Sequence, residues 1–170
     1  MNFRRTFLFL SLIGALLATV SAQGKKGPAK PVMPVDGRVK VDNGRTKPTD
    51  ITVKVFKDNT ELTSFAIQKG RFQVELDMGT QYALLISKPG YKSKLILVDT
   101  NVPVEVGRYP AFPCQVDLEP ENALTGGDPF FEDFPNAIIR YSTEFGGHAP
   151  SPVYATHIRA RQGSLVQARP

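Results

Sequence analysis

The 170-residue chain contains no tryptophan, one cysteine and two histidines, and each scarcity excludes something. The single thiol, Cys114, cannot close an intramolecular disulfide, which leaves intermolecular pairing, a reactive thiol or a buried one, and the strand pattern below favours the last. His148 and His157 stand nine residues apart, with no H-E-x-x-H or comparable spacing. That leaves no metal-ligand set and no histidine base paired with a nucleophile. Without tryptophan the chain lacks the best side chain for the exposed aromatic platform of sugar-binding sandwiches. Lysine and arginine are scattered, with no dense basic stripe of the kind nucleic-acid binding requires. Beyond the first two dozen residues no apolar run approaches the ~20 residues needed to span a bilayer.

What is present begins with an address. "MNFRRTFLFLSLIGALLATVSAQ" carries Arg4 and Arg5, an apolar run from Phe7 to Ala18, and then Val20-Ser21-Ala22. These are the charged, apolar and small-residue parts of a secretory signal peptide, so residues 1–22 are expected to be removed after Ala22. The apolar run is short for a transmembrane anchor, and no cysteine stands at the cleavage point to carry a lipid. Losing Arg4 and Arg5 lowers the basic count from 21 to 19 against 16 acidic residues, a net charge of +3. The expectation is an exported protein, periplasmic or associated with the outer membrane, with no nucleic-acid partner and no transmembrane segment after cleavage.

Residues 23–35, "QGKKGPAKPVMPV", are rich in proline and lysine and show no periodicity, which predicts a flexible or extended linker. From residue 36 to residue 120 the texture changes to short alternating runs. Phe72, Val74 and Leu76 share one face of "RFQVELD", and Ile51, Val53 and Val55 share one face of "DITVKVF". Tyr82, Leu84 and Ile86 do the same in "QYALLIS", as do Phe112, Cys114, Val116 and Leu118 in "AFPCQVDL". In "YKSKLILV" the alternation counted from Tyr91 puts Leu95 and Leu97 inward. Successive side chains on a strand point to opposite faces, so each run can bury one side and wet the other. With "DGRVKV" and "ELTSFAI" this predicts about seven strands in an all-β sandwich or barrel, with Cys114 a small core residue. The connections "KPTD", "KDNT", "QKGR", "DMGT" and "KPGY" supply the Gly, Pro, Asp and Asn that reversals need.

The corner Lys88-Pro89-Gly90-Tyr91 has proline and glycine at the central positions of a type II turn, with Tyr91 dropping inward after it. Lys88, Lys92 and Lys94 around it read as a solvated face that also blunts a strand against aggregation. A basic patch for anionic glycans is the competing possibility.

The last fifty residues, 121–170, are irregular, with apolar islands at Phe130, Phe131 and Phe134, at 137–141 ("AIIRY") and at 153–158 ("VYATHI"). The islands could be short strands. Aromatic clusters are costly to leave in water, so this extended tail is expected to dock on the sandwich or on a partner, a disordered tail being the alternative. Phe130, Phe131, Phe134, Ile138, Ile139, Tyr141 and Tyr154 are the candidate partner-binding residues. Asp128, Glu132 and Asp133 lack EF-hand spacing and are expected to be solvated rather than to hold a cation.

"DGRVKVDNGRTKPTDITVKVFKDN" and "GRFQVELDMGTQYALLISKPGYKSKLILVDT" resemble carboxypeptidase regulatory-like domains. The resemblance covers residues 36–118 and is similar to single-domain exported proteins of Bacteroidota-type envelopes. It implies a transthyretin-like (prealbumin-like) sandwich acting as a non-catalytic module, without a cofactor, on a larger cell-envelope protein or complex. TonB-dependent transporters and type IX secretion machinery are the contexts it suggests. A transthyretin-like hydrolase would need histidines inside the sandwich, and there are none between residues 36 and 120. A zinc carboxypeptidase would need a large catalytic domain before residue 36. An accessory sandwich binding carbohydrate or a small ligand is the alternative function.

Overall fold

The computed structural model describes residues 31–103, 109–121 and 134–158. Each alternating run forms a strand: β1 Val32–Val41, β2 Ile51–Lys57, β3 Thr60–Ile67, β4 Arg71–Asp77, β5 Gln81–Ser87, β6 Lys94–Asp99 and β7 Phe112–Leu118. The tail adds β8 Ala137–Ser142 and β9 Gly147–Pro150. The described residues therefore hold nine strands, two more than the alternation between residues 36 and 120 predicts. Residues 152–158 form a short helix, α1.

The strands make two mixed sheets in a sandwich-like arrangement. One has three strands in the order β4-β1-β7, and the other has six in the order β3-β2-β5-β6-β8-β9. Pairing is antiparallel except for β1 with β7 and β6 with β8. One face of each sheet supplies the core. Val35, Val39, Val41, Phe72, Leu76, Cys114 and Leu118 come from the smaller sheet; Ile51, Val53, Leu84, Ile86, Ile96 and Val98 come from the larger. Burying side chains of this size at about 1.5–3 kcal/mol each is the main force against chain entropy.

Close packing shows at Gly37, which sits opposite Phe72 across the β1–β4 ladder. A Cβ there would lie 2.1 Å from the Phe72 ring, so the aromatic ring occupies the space that a side chain would take. At one end of the sandwich Thr100 is fully buried. Its Oγ1 accepts from the Thr80 N–H at 3.0 Å and lies 2.8 Å from the carbonyls of Asp77 and Thr80 as a donor. This hydroxyl ties the β4–β5 turn to the end of β6. Asp58 and Asn59, both with positive φ, form the two-residue turn between β2 and β3.

Several expectations need correction. β1 starts at Val32, inside the stretch read as a linker, because Met33 and Val35 are buried and Pro34 lies where β1 pairs with β4 alone. In β6 it is Ile96 and Val98 that point inward, while Leu95 and Leu97 are half-buried on the outer face. The alternation is interrupted at Lys92 and Ser93, where the chain leaves strand geometry. The Tyr91 N–H closes the turn onto the Lys88 carbonyl at 3.1 Å, and Tyr91 bridges to Pro120 near the end of β7. Gly90 has φ +77, as the type II corner requires.

The lysines beside the corner are not simply solvated. The Lys88 ammonium donates to the Thr49 carbonyl at 2.6 Å and lies 5.6 Å from the centre of the Tyr91 ring. Lys94, also largely covered, pairs with Glu119 at 3.5 Å. These two lysines fasten strand ends together rather than offering charge to a ligand.

Candidate partner-binding site

The tail joins the sandwich through β8. The Asn136 N–H donates to the Leu95 carbonyl at 2.6 Å, and the Asn136 side chain accepts from the Leu95 N–H at 2.7 Å. From this two-bond clamp β8 runs parallel to β6, placing Ala137, Ile138 and Ile139 beside Ile96, Leu97 and Val98. Alternation then sorts the strand. Ile139, only 2% exposed, enters the core, and Tyr141 follows it on the inner face, with its ring edge-on to His148 at 5.8 Å. Ile138, Arg140 and Ser142 face outward.

The outer face near β8 is unusually apolar for a solvated sheet. Phe56, Ala83, Leu97 and Ile138 form one cross-strand row, set by the pairings of β2 with β5, β5 with β6 and β6 with β8. All four are half-buried. Beside this row, at the end of β6, lies an open cleft of about 530 Å³. Val102, Pro103, Arg140, Tyr141, Phe145 and Pro152 are among its lining residues. Phe145, on the β8–β9 turn, is 68% exposed, and Val153, one residue past Pro152, is 80% exposed.

Arg140 is the cation of this cleft, and local geometry leaves it unengaged. The β6–β8 register would set Asp99 beside it. The Asp99 carboxylate is instead turned to Asn101, accepting from its backbone N–H at 3.1 Å and its side-chain amide at 2.6 Å. The Arg140 backbone is in the ladder with β9, but its guanidinium has no hydrogen bond or ion pair among the described residues.

His148, on β9, has no hydrogen-bond partner for either ring nitrogen among the described residues. Burial pushes its pKa below the ordinary 6.5, against the smaller opposing influence of the Asp99 backbone and charge. The ring is thus held neutral against Tyr141. Cys114 is buried in β7, and desolvation raises its thiol to about 11. A thiol in that state is a packing group and not a nucleophile. No group of three or more histidine, cysteine, aspartate or glutamate side chains among the described residues could hold a metal. No described helix is long and apolar enough to cross a membrane.

The candidates proposed from sequence are therefore dispersed. Phe130 and Phe131 lie outside the described residues. Phe134 is 38% exposed beside the Asn136 clamp, and Ile138 belongs to the outer row. Ile139 is a core residue and has no surface to offer a partner. Tyr154 lies on α1, and its hydroxyl donates to the Pro135 carbonyl, fixing the helix against the start of β8. The "VYATHI" island is helical because Ser151 caps it and Pro152 opens it; the Ser151 carbonyl accepts from the Ala155 N–H at 3.0 Å.

Sequence reasoning missed Arg140, Phe145 and Val153. Strand alternation through "AIIRYS" would have grouped Arg140 with Ile138. The Gly146-Gly147 pair would have marked Phe145 as a turn residue.

No family model matches the chain, and no curated protein matches it. Among solved structures, the crystal structure of S.CueP is similar at a TM-score of 0.36 and 14% identity, over 55% of this chain and 66% of that one. The chain spans just under two thirds of that structure's length, and a likeness this low carries no conclusion about fold or function.

Proposed function

We propose that the chain is a non-catalytic, exported envelope module that docks on a larger outer-membrane, secretion or transport complex through the end of its sandwich built by the tail. A transthyretin-like, Greek-key domain of the carboxypeptidase regulatory-like type is the fold that goes with this reading. The observation that carries it is the exposure of Phe145, which lines the open cleft, and of Val153, one residue past its lining Pro152, both on short, hydrogen-bonded elements. Large apolar side chains fixed in water by a rigid frame are what an interface needs before its partner arrives. The burial of Cys114, which raises its thiol to about 11, goes with a packing role for that residue.

The test is recovery of a specific partner from detergent-solubilised envelopes, using the tagged full-length product as the cell processes it. Removing the whole tail is the wrong control, because Ile139 belongs to the core. The informative variant is Phe145→Ala combined with Val153→Asp, both at exposed positions. Loss of the partner in this variant supports the reading. No specific partner for the unaltered protein, or equal recovery by both forms, sinks it.

A further inference from the structure

We propose that the cleft beside β8 is a peptide seat with an anion anchor: Arg140 binds a single carboxylate on an extended segment whose neighbouring apolar side chain packs against Val102, Pro103 and Phe145. This rests on the docking function proposed above and names the chemistry of what docks.

Three observations support it. The first is the missing partner. A guanidinium offers five donors in a rigid fork that matches a carboxylate two bonds at a time. Asp99, the residue that register would place beside Arg140, is turned to Asn101, whose backbone and side-chain N–H groups both donate to its Oδ1, and it makes no ion pair with Arg140. The strand order places Arg140 on the outer face beside Asp99, and the turn of Asp99 toward Asn101 leaves the guanidinium unpaired.

The second is the surround. Val102, Pro103, Phe145, Pro150 and Pro152 make the apolar part of a cleft wall that also carries polar side chains such as Asn101 and Thr143. An ion pair beside such a wall loses competing water when an apolar side chain covers it, so it is worth more there than on open surface. Prolines and an aromatic ring are also preorganised, and lose little rotamer freedom on contact.

The third is the charge count. Glu144 is the other charged residue lining the cleft. A run of acidic residues would meet Glu144 as well as Arg140, whereas one carboxylate beside an apolar residue satisfies the cation alone.

The probe is the capped tetrapeptide acetyl-Ala-Phe-Asp-Val-amide, with acetyl-Ala-Phe-Asn-Val-amide as the neutral control. Both are titrated into the isotopically labelled full-length product and followed by amide chemical shifts. The aspartyl peptide is expected to move the amides of Val102, Tyr141 and Phe145. It should bind about tenfold more tightly than the asparaginyl peptide, the lower end for a hydrogen bond to a charged group. In Arg140→Ala that preference should vanish, and Arg140→Lys should keep part of it. Arg140 is exposed, so both variants should retain the unaltered protein's spectrum elsewhere.

Equal binding of the two peptides, or shifts that avoid the cleft, overturns the inference. The two proposals fail separately. If envelope capture needs Phe145 and Val153 but is untouched by Arg140→Ala, the module stands and the anion anchor falls. If the aspartyl preference depends on Arg140 while no envelope partner is recovered, the anchor stands and the module falls.

Discussion

Replacing Ile139 by alanine separates a tail that belongs to the fold from one that waits for a partner. Ile139 is 2% exposed, paired with Val98 on one side and Pro150 on the other. Removing most of a buried isoleucine side chain costs about 2–5 kcal/mol, depending on how far the site can collapse. Here β8 has neighbours on both sides but lies one strand from the sheet edge, so partial collapse is available and about 3 kcal/mol is the expected cost. With a urea slope of about 1–3 kcal/mol per molar, the unfolding midpoint should fall by roughly 1–3 M, with the slope itself unchanged.

The paired control is Ile138→Ala. Ile138 is half-buried on the outer face, so its truncation should cost about 1 kcal/mol or less. Both are read by equilibrium urea unfolding followed by far-ultraviolet circular dichroism. Equal and small effects at the two positions would refute the placement of β8 in the cooperative unit. The tail would then be an independent segment, and Ile139 would return to the set of partner-binding candidates.

Gly37→Ala should destabilise by about 1–3 kcal/mol, because the new methyl group overlaps the Phe72 ring; thermal melts should show partial recovery when Phe72→Leu is added. His148 should make stability pH-dependent. Its folded pKa lies below the ordinary 6.5, so the unfolded chain takes up the proton first. This contribution is intact above 6.5 and is lost as pH falls below it. Unfolding free energies measured from pH 7.5 down to 5 should drop more steeply in the unaltered protein than in His148→Phe, and parallel curves would refute the assignment. Cys114, with its thiol raised to about 11, should react with an aromatic disulfide reagent at pH 8 at least about a hundredfold more slowly when folded than in urea. Rapid labelling of the folded protein would contradict its burial.

The strands of the sandwich were legible because a half-buried sheet writes its burial as a period of two. "DITVKVF", "RFQVELD" and "QYALLIS" each carry that period without interruption, and each is a strand with the expected inner face. Legibility failed where hydrogen bonds outside a ladder set the phase. Between Tyr91 and Lys94 the chain is held by the corner and by the Lys92 N–H on the Glu119 carbonyl at 2.8 Å. A count carried through those residues therefore arrives at Leu95 on the wrong face. The tail was harder still. The only parallel neighbour of β6 is supplied from some forty residues away, and a parallel join leaves no turn signature between the two strands. The cleft depends on Asp99 turning toward Asn101, a side-chain choice that no spacing encodes.

The arrangement of β8 also changes where the binding energy of such a module would come from. A free tail docking on a partner must order itself at about 1–2 kcal/mol of backbone entropy per residue, which for a dozen residues offsets most of a modest interface. In this chain the Asn136 clamp, the β6–β8 and β8–β9 ladders and the burial of Ile139 have already fixed that segment. The large groups it leaves exposed are few: the rings of Phe134 and Phe145, the Val153 side chain on the capped helix, and one guanidinium without a partner. Preorganised groups convert contact area into affinity with little ordering cost. A partner that presents a carboxylate and an apolar side chain in the right order therefore needs only a small footprint. Selectivity would then reside in Arg140, since the apolar wall accepts many side chains of similar size while an unpaired guanidinium discriminates by charge.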